Sequence, residues 1–157
     1  MPDYRRPAVT GATIFFTVAL ADRGADTLTR HVAVLREAVR VTRAERRFGV
    51  EAWVVLPDHM HCVWVMPEGD RDYPTRWRLI KSRFSRAVGT GRLRPSHIAR
   101  NERGIWQRRY WEHHCRDEAD VAAHVRYCWW NPVKHGFVER PEDWTWSSVH
   151  RDGRYVP

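Results

Sequence analysis

The stretch Leu56-Pro57-Asp58-His59-Met60-His61-Cys62-Val63-Trp64 opens on a turn signal and continues as an apolar run. Pro57-Asp58 reads as a tight turn joining two strands, Val50 to Leu56 and His59 to Met66. In a strand, side chains at i and i+2 share a face. His59 and His61 therefore project side by side, with their imidazole nitrogens in reach of one cation. Met60 and Cys62 point the other way, into a core, so Cys62 reads as packing rather than as a ligand. Paired histidines that leave other coordination positions open suit a catalytic metal. The same pair also fits a hydrogen-bonded surface role, and what lies some seventy residues further on decides between them.

Working outward, Thr13 to Leu20 is a β-branched and aromatic run that reads as a central strand. Leu28, Val32, Leu35 and Val39 share one helix face, predicting a helix from Leu28 to Arg46. Asp72 and Pro74 open a second helix that buries Trp77, Ile80 and Phe84, with Gly89 near its end. Gly91 to Arg103 reads as a polar loop, and the aromatic-rich Ile105 to Cys115 as a fourth strand. A segment with Trp144 and Trp146 closes the chain. The order β-α-β-β-α-β is that of a ferredoxin-like (RRM-like) α+β sandwich, an antiparallel sheet with helices, followed by a further C-terminal helix. One domain over residues 1–157 is expected, since the length suits a compact core and no repeat or linker interrupts it.

That last helix starts at Asp117, an N-cap residue type, with Glu118 and Asp120 in the dipole-favoured first turn. Pro132 is expected to end it at Asn131. Val121, Val125 and Cys128 form an apolar stripe. Asp120, His124, Tyr127 and Asn131 form a polar one, placing a phenol and an amide one turn apart. His124 reads as structural, or as a group that orients the phenol.

Taken together, L-P-D-H-M-H-C-V-W, I-W-Q-R-R-Y-W-E-H and R-Y-C-W-W-N-P-V-K-H-G closely resemble the REP-associated tyrosine transposases, single-tyrosine relatives of the IS200-like transposases in the HUH endonuclease superfamily. The resemblance spans Tyr4 to about Asp152. It implies that His59 and His61 bind a divalent metal, that Tyr127 is the nucleophile and that Asn131 is the third protein ligand. It also implies the substrate: repetitive extragenic palindromes folded as hairpins, with a short flanking guide sequence. The expected activity is a metal-dependent single-strand DNA endonuclease and strand transferase working through a 5′-phosphotyrosine. Hard oxygen ligands from amide and phosphate suit Mg²⁺ or Mn²⁺.

Composition agrees with a polyanion partner. The formal charge is +8 and the pI about 10.1. Lys81 and Lys134 are the only lysines, so the basic side chains are overwhelmingly guanidinium groups, suited to bidentate phosphate contacts. Arg5, Arg6, Arg76, Arg83, Arg86, Arg108, Arg109 and Lys134 are candidates to line a DNA path. Trp106, Trp111 and Trp130 are candidates to stack on bases. Three cysteines without CxxC spacing predict a reduced, cytoplasmic protein. Ile14 to Leu20 is too short to span a bilayer, so no membrane partner is expected. A monomer or homodimer is expected. The competing reading is a ferredoxin-like nucleic-acid-binding module that never cuts, such as a domesticated transposase.

Overall fold

The computed structural model describes residues 5–91 and 93–153; Tyr4 and Tyr155 to Pro157 lie outside the described residues. Four strands form one antiparallel sheet: β1 (Thr13–Ala19), β2 (Gly49–Val55), β3 (His59–Val65) and β4 (Trp111–His114), in the order β2-β3-β1-β4. This is the ferredoxin-like arrangement expected from the element order. β1 and β3 are central, and their alternation divides the core in two. Ile14, Phe16, Val18 and Leu20 of the first run join Met60, Cys62 and Trp64 on one face. That face is covered by α2 (Val32–Glu45) and α3 (Tyr73–Val88), which contribute Leu35, Val39, Trp77, Ile80 and Phe84. Burying each such side chain stabilises the fold by roughly 1.5–3 kcal/mol. Phe15, Ala52, Val54 and Val63 face the other way, against α5 (Glu118–Lys134), through Val125, Cys128 and Trp129. Odd positions of β3 therefore look at α5, and both histidines are odd.

Local signals act where they were expected. Asp72 caps α3 by accepting the Thr75 amide at 3.2 Å, and Gly89 ends it at φ 107°, a region that favours glycine. Asp117 caps α5 by accepting the Asp120 amide at 2.8 Å. The β2–β3 turn closes with the Leu56 amide donating to the His59 carbonyl at 2.8 Å. After α5 the chain returns along β2, where the Trp144 indole donates to the Val55 carbonyl at 2.9 Å.

Four expectations are corrected. The first helix is broken at His31 into α1 (Thr27–Arg30) and α2, because the backbone there leaves helical geometry (φ −114°, ψ 33°). The polar loop contains a short helix, α4 (Pro95–Ala99), which proline at a first-turn position favours. The fourth strand is shorter than Ile105 to Cys115. Trp106 bridges Leu20, but the chain then leaves the sheet until Trp111 as Tyr110 turns inward against Phe16 and Trp77. Finally, α5 continues past Asn131 to Lys134. Pro132 removes one donor, yet the His135 and Phe137 amides still find the Asn131 and Pro132 carbonyls at 3.0 Å. The extra residues matter, since they bring Lys134 round to the face of Tyr127, two turns earlier.

Candidate active site

The site is built from the α5-facing side of β1 and β3 and the polar stripe of α5. His61 pairs across the sheet with Thr17, and its Nδ1 is 2.8 Å from the Thr17 hydroxyl oxygen. His59 Nδ1 is 2.7 Å from Asp58 Oδ1. Asp58 is itself held by Arg23 Nε at 3.1 Å and the Gly24 amide at 3.0 Å. Burial works against the Asp58 carboxylate, but hydrogen bonds from His59 and Gly24 and the charge of Arg23 outweigh it and hold its pKa below the ordinary value. Both Nδ1 atoms are thus engaged; in the tautomer that donates from Nδ1 to Thr17 and Asp58, each Nε2 keeps a lone pair free for a metal. A carboxylate behind a histidine is the usual way of fixing a metal-binding tautomer.

The two imidazoles lie with ring centroids 5.0 Å apart. Burial, then the neighbouring His59, His135 and Lys134, push the His61 pKa down to about 3, so His61 is neutral at physiological pH. Tyr127 packs on His61, its ring centroid 5.2 Å from that of His61 and 5.6 Å from that of Phe15. It remains 39 % exposed, open to a partner from solvent. Lys134 Nζ donates toward the Tyr127 oxygen at 3.4 Å and lies 5.1 Å from its ring centroid. His135, beyond the end of α5, packs 5.1 Å from His59.

Asn131 is the telling residue. It is 1 % exposed, and neither its Oδ1 nor its Nδ2 has a hydrogen-bond partner among the described residues. A buried amide left unpaired costs about 1–3 kcal/mol. One turn after Tyr127 on α5, such an oxygen could serve a cation as a ligand. A donor set of two imidazoles and an amide oxygen fits a divalent metal. Asn131→Leu should therefore leave the metal-free protein as stable or raise its melting temperature by about 2–4 °C, the equivalent of about 1 kcal/mol. Thermal unfolding with and without Mn²⁺ tests this: the wild type should gain stability from the ion and the variant should not. A strongly destabilised variant would mean that Asn131 has a structural partner.

The basic candidates divide. Arg6 and Arg108, with Arg78, Arg86, Arg100 and Arg103, line a cleft of about 860 Å³ between α3 and residues 100–110, on the α2/α3 side of the sheet. Arg108 is paired there with Glu102 at 3.0 Å. Arg5 and Arg109 are exposed. Arg76 is corrected: at 2 % exposure it is an interior residue, bonded to Asp70 and to the Arg46, Arg47 and Asp72 carbonyls, where it ties the start of β2 to α3. Arg83 is engaged by the Thr42 hydroxyl and Glu45. Among the predicted basic residues, Lys134 is the one brought to Tyr127. Trp111 and Trp130 are exposed, at 66 % and 45 %, as base stacking needs, whereas the Trp106 indole is tied to the Lys81 carbonyl.

Sequence reasoning missed the residues behind the histidines. Asp58 was visible as the D of L-P-D-H, but Thr17 could be found only once the β1–β3 register was known. It also missed that His113 and Cys115 reach the other half of the polar stripe, beside Asp120 and His124. Tyr110, the other aromatic hydroxyl near the motifs, packs among Phe16, Tyr73 and Trp77 on the opposite side of the sheet from His59 and His61.

Fold and site together define a class: a ferredoxin-like sheet whose central strand presents an H-x-H pair beneath a tyrosine on a following helix. No family model matches the chain. Relatives do. It is 45 % identical over 152 residues to the REP-associated tyrosine transposase of Escherichia coli K12, covering 97 % of this chain and 85 % of that protein. A Haemophilus influenzae protein of the same family name is 40 % identical over 154 residues, with 97 % and 88 % covered. A solved structure of a REP-associated tyrosine transposase bound to a REP hairpin superposes with a TM-score of 0.86 at 43 % identity, covering 99 % of this chain and 89 % of that one. The chain belongs to the REP-associated tyrosine transposases. Among the described residues, no helix is long and apolar enough to cross a membrane.

Proposed function

We propose that the protein is a metal-dependent endonuclease and strand transferase for single-stranded DNA that folds as a palindromic hairpin. The observations that support this reading are the packing of Tyr127 on His61, beside His59, and one turn on along α5 the buried, partnerless amide of Asn131. The solved relative's REP hairpin supports the choice of substrate.

In this reading Tyr127 is the nucleophile. Its oxygen attacks the scissile phosphorus, forming a Tyr127–phosphorus bond as the bond from phosphorus to the 3′ oxygen breaks. The phenolic proton is lost to solvent, and the departing 3′ oxygen takes one up. The DNA 5′ end stays on the protein as a phosphotyrosine. The Lys134 ammonium, already donating to this oxygen, stabilises negative charge on it while it is deprotonated. Phe15 holds the phenol edge-on, with ring planes at 84°. A divalent cation held by His59, His61 and Asn131, with Mg²⁺ or Mn²⁺ favoured by the hard oxygens of the amide and the phosphate, would supply charge stabilisation at the scissile phosphate. Asp58 and Thr17 orient the imidazoles. Because the phosphotyrosine conserves the bond energy, an incoming 3′-hydroxyl can displace Tyr127 and reseal a strand without a nucleotide cofactor.

The arginine cleft supplies phosphate contacts that position the hairpin rather than react with it. Binding should favour a hairpin over a perfect duplex of the same sequence. Its affinity should fall with salt, log K against log [salt] losing about 0.7–0.9 per phosphate contact. Titrating labelled hairpin and duplex at several salt concentrations tests this. Equal affinity for the two, or an affinity indifferent to salt, would contradict it.

A further inference from the structure

The polar stripe of α5 is longer than the proposed chemistry uses. Its first half, Asp120 and His124, faces not β3 but the edge strand β4. His113 pairs with Phe15 and so shares the α5-facing side of the sheet. Cys115, two residues on and still bonded through its amide to the Thr13 carbonyl at 2.9 Å, shares that side. His113 Nε2 is 2.9 Å from Asp120 Oδ2, and His124 Nδ1 is 3.1 Å from Asp120 Oδ1. The two imidazoles stack with centroids 4.6 Å apart. One donor atom from each of His113, Cys115, Asp120 and His124 lies within 4.8 Å of all the others.

We propose that these four residues form a second metal site, for a borderline cation of the zinc type. The pattern repeats that of the first site, an i, i+2 pair on a strand opposite an i, i+4 pair on α5. The chemistry differs. Two imidazoles, a thiolate and a carboxylate are a four-donor set for tetrahedral Zn²⁺ or Co²⁺, and a poor one for Mg²⁺ or Mn²⁺. Its charge is also complementary, since a thiolate and a carboxylate neutralise a divalent ion among groups that are all partly buried. Metal–ligand bonds of about 2.0–2.3 Å bring tetrahedral donors to roughly 3.3–3.8 Å from one another, so the cluster has to draw in, and His124 either offers Nε2 or gives up the 2.8 Å bond between its Nδ1 and the Asp120 carbonyl. Without metal the Cys115 thiol holds its proton, its pKa pushed up to about 11 by burial and by Asp120, and metal binding expels that proton.

Such a site would fasten the first two turns of α5 to the sheet edge. His124 also packs on Phe15, at 4.8 Å between centroids, and Phe15 touches Tyr127. The site is thus placed to hold the tyrosine helix in register without taking part in the DNA chemistry.

The test does not depend on that chemistry. The full chain carrying His59→Ala and His61→Ala lacks the imidazoles of the first site. Stripped with chelator and titrated anaerobically with Co²⁺, it should bind one equivalent. The spectrum should show tetrahedral cobalt and an intense thiolate-to-metal charge-transfer band, and Zn²⁺ should displace both. Cys62 and Cys128 are 1 % and 0 % exposed and face the two cores, so that band reports Cys115. Adding Cys115→Ser should remove the band and weaken binding by more than about tenfold. His113→Gln, with folding checked by circular dichroism, should weaken it independently. Asp120 is left intact because its carboxylate also accepts the Arg116 amide. Absence of stoichiometric binding, binding without the thiolate band, or affinity unchanged by both substitutions would overturn the site and leave an ordinary hydrogen-bonded cluster.

Discussion

Tyr127→Phe should abolish cleavage of a hairpin substrate and the covalent adduct together, while leaving hairpin affinity within about twofold. The substitution removes one oxygen. The ring contacts to Phe15 and His61 remain, and the side chain is already 39 % exposed, so little stability is at stake. The oxygen's partner, the Lys134 ammonium, is exposed and can be solvated in its absence. Loss of a nucleophile typically lowers turnover by about 10³-fold or more. Binding persists because phosphate contacts from the basic surface are untouched. A gel-based cleavage assay beside a binding titration of the same hairpin reads both quantities. Cleavage reduced only a few-fold would make Tyr127 a packing residue.

His61→Ala should be nearly as severe for a different reason. It removes a neutral, buried imidazole whose Nδ1 is already committed to Thr17, and so, under the proposed mechanism, takes away a donor to the cation rather than the attacking group. Charge stabilisation by a metal is worth several kcal/mol, so the expected loss is on the order of 10³-fold at saturating Mn²⁺. The signature that separates this variant from Tyr127→Phe is the metal dependence. Mn²⁺ should raise the melting temperature of both the wild type and Tyr127→Phe, and should leave His61→Ala unmoved. His59→Ala should behave like His61→Ala. If Mn²⁺ still stabilised both histidine variants and drove their cleavage, the histidines would be structural.

Much of this site could be read from the chain because its elements are periodic. His59 and His61 share a strand face, Tyr127 and Asn131 share a helix face, and each pair follows from period alone. Bringing the two pairs together required knowing that odd positions of β3 face α5. The β-α-β-β-α-β order together with the family resemblance implies this, but no local feature states it. Elements were misjudged where tertiary contacts overrode a local signal. Pro132 should have stopped α5, but it removes only its own donor, the His135 amide keeps its helical bond to the Asn131 carbonyl, and Lys134 is carried to Tyr127 as a result. Arg76 looked like one more surface arginine on a basic helix. Its burial depends on carbonyls at residues 46 and 47, some thirty positions away, which no window around Arg76 contains. Cys115 and His113 were unremarkable as residues of an aromatic strand until the β1–β4 register set them opposite Asp120 and His124.

The central claim is that the hairpin strand becomes joined to one particular oxygen. The direct measurement is to incubate the wild-type protein with a labelled hairpin and Mn²⁺, denature it, digest the covalent adduct and locate the attached nucleotide by mass spectrometry. The account predicts a phosphotyrosine on the peptide that contains Tyr127, carrying the 5′ end of the cleaved strand. An adduct on Tyr110, or cleavage with no protein-linked DNA at all, would contradict it.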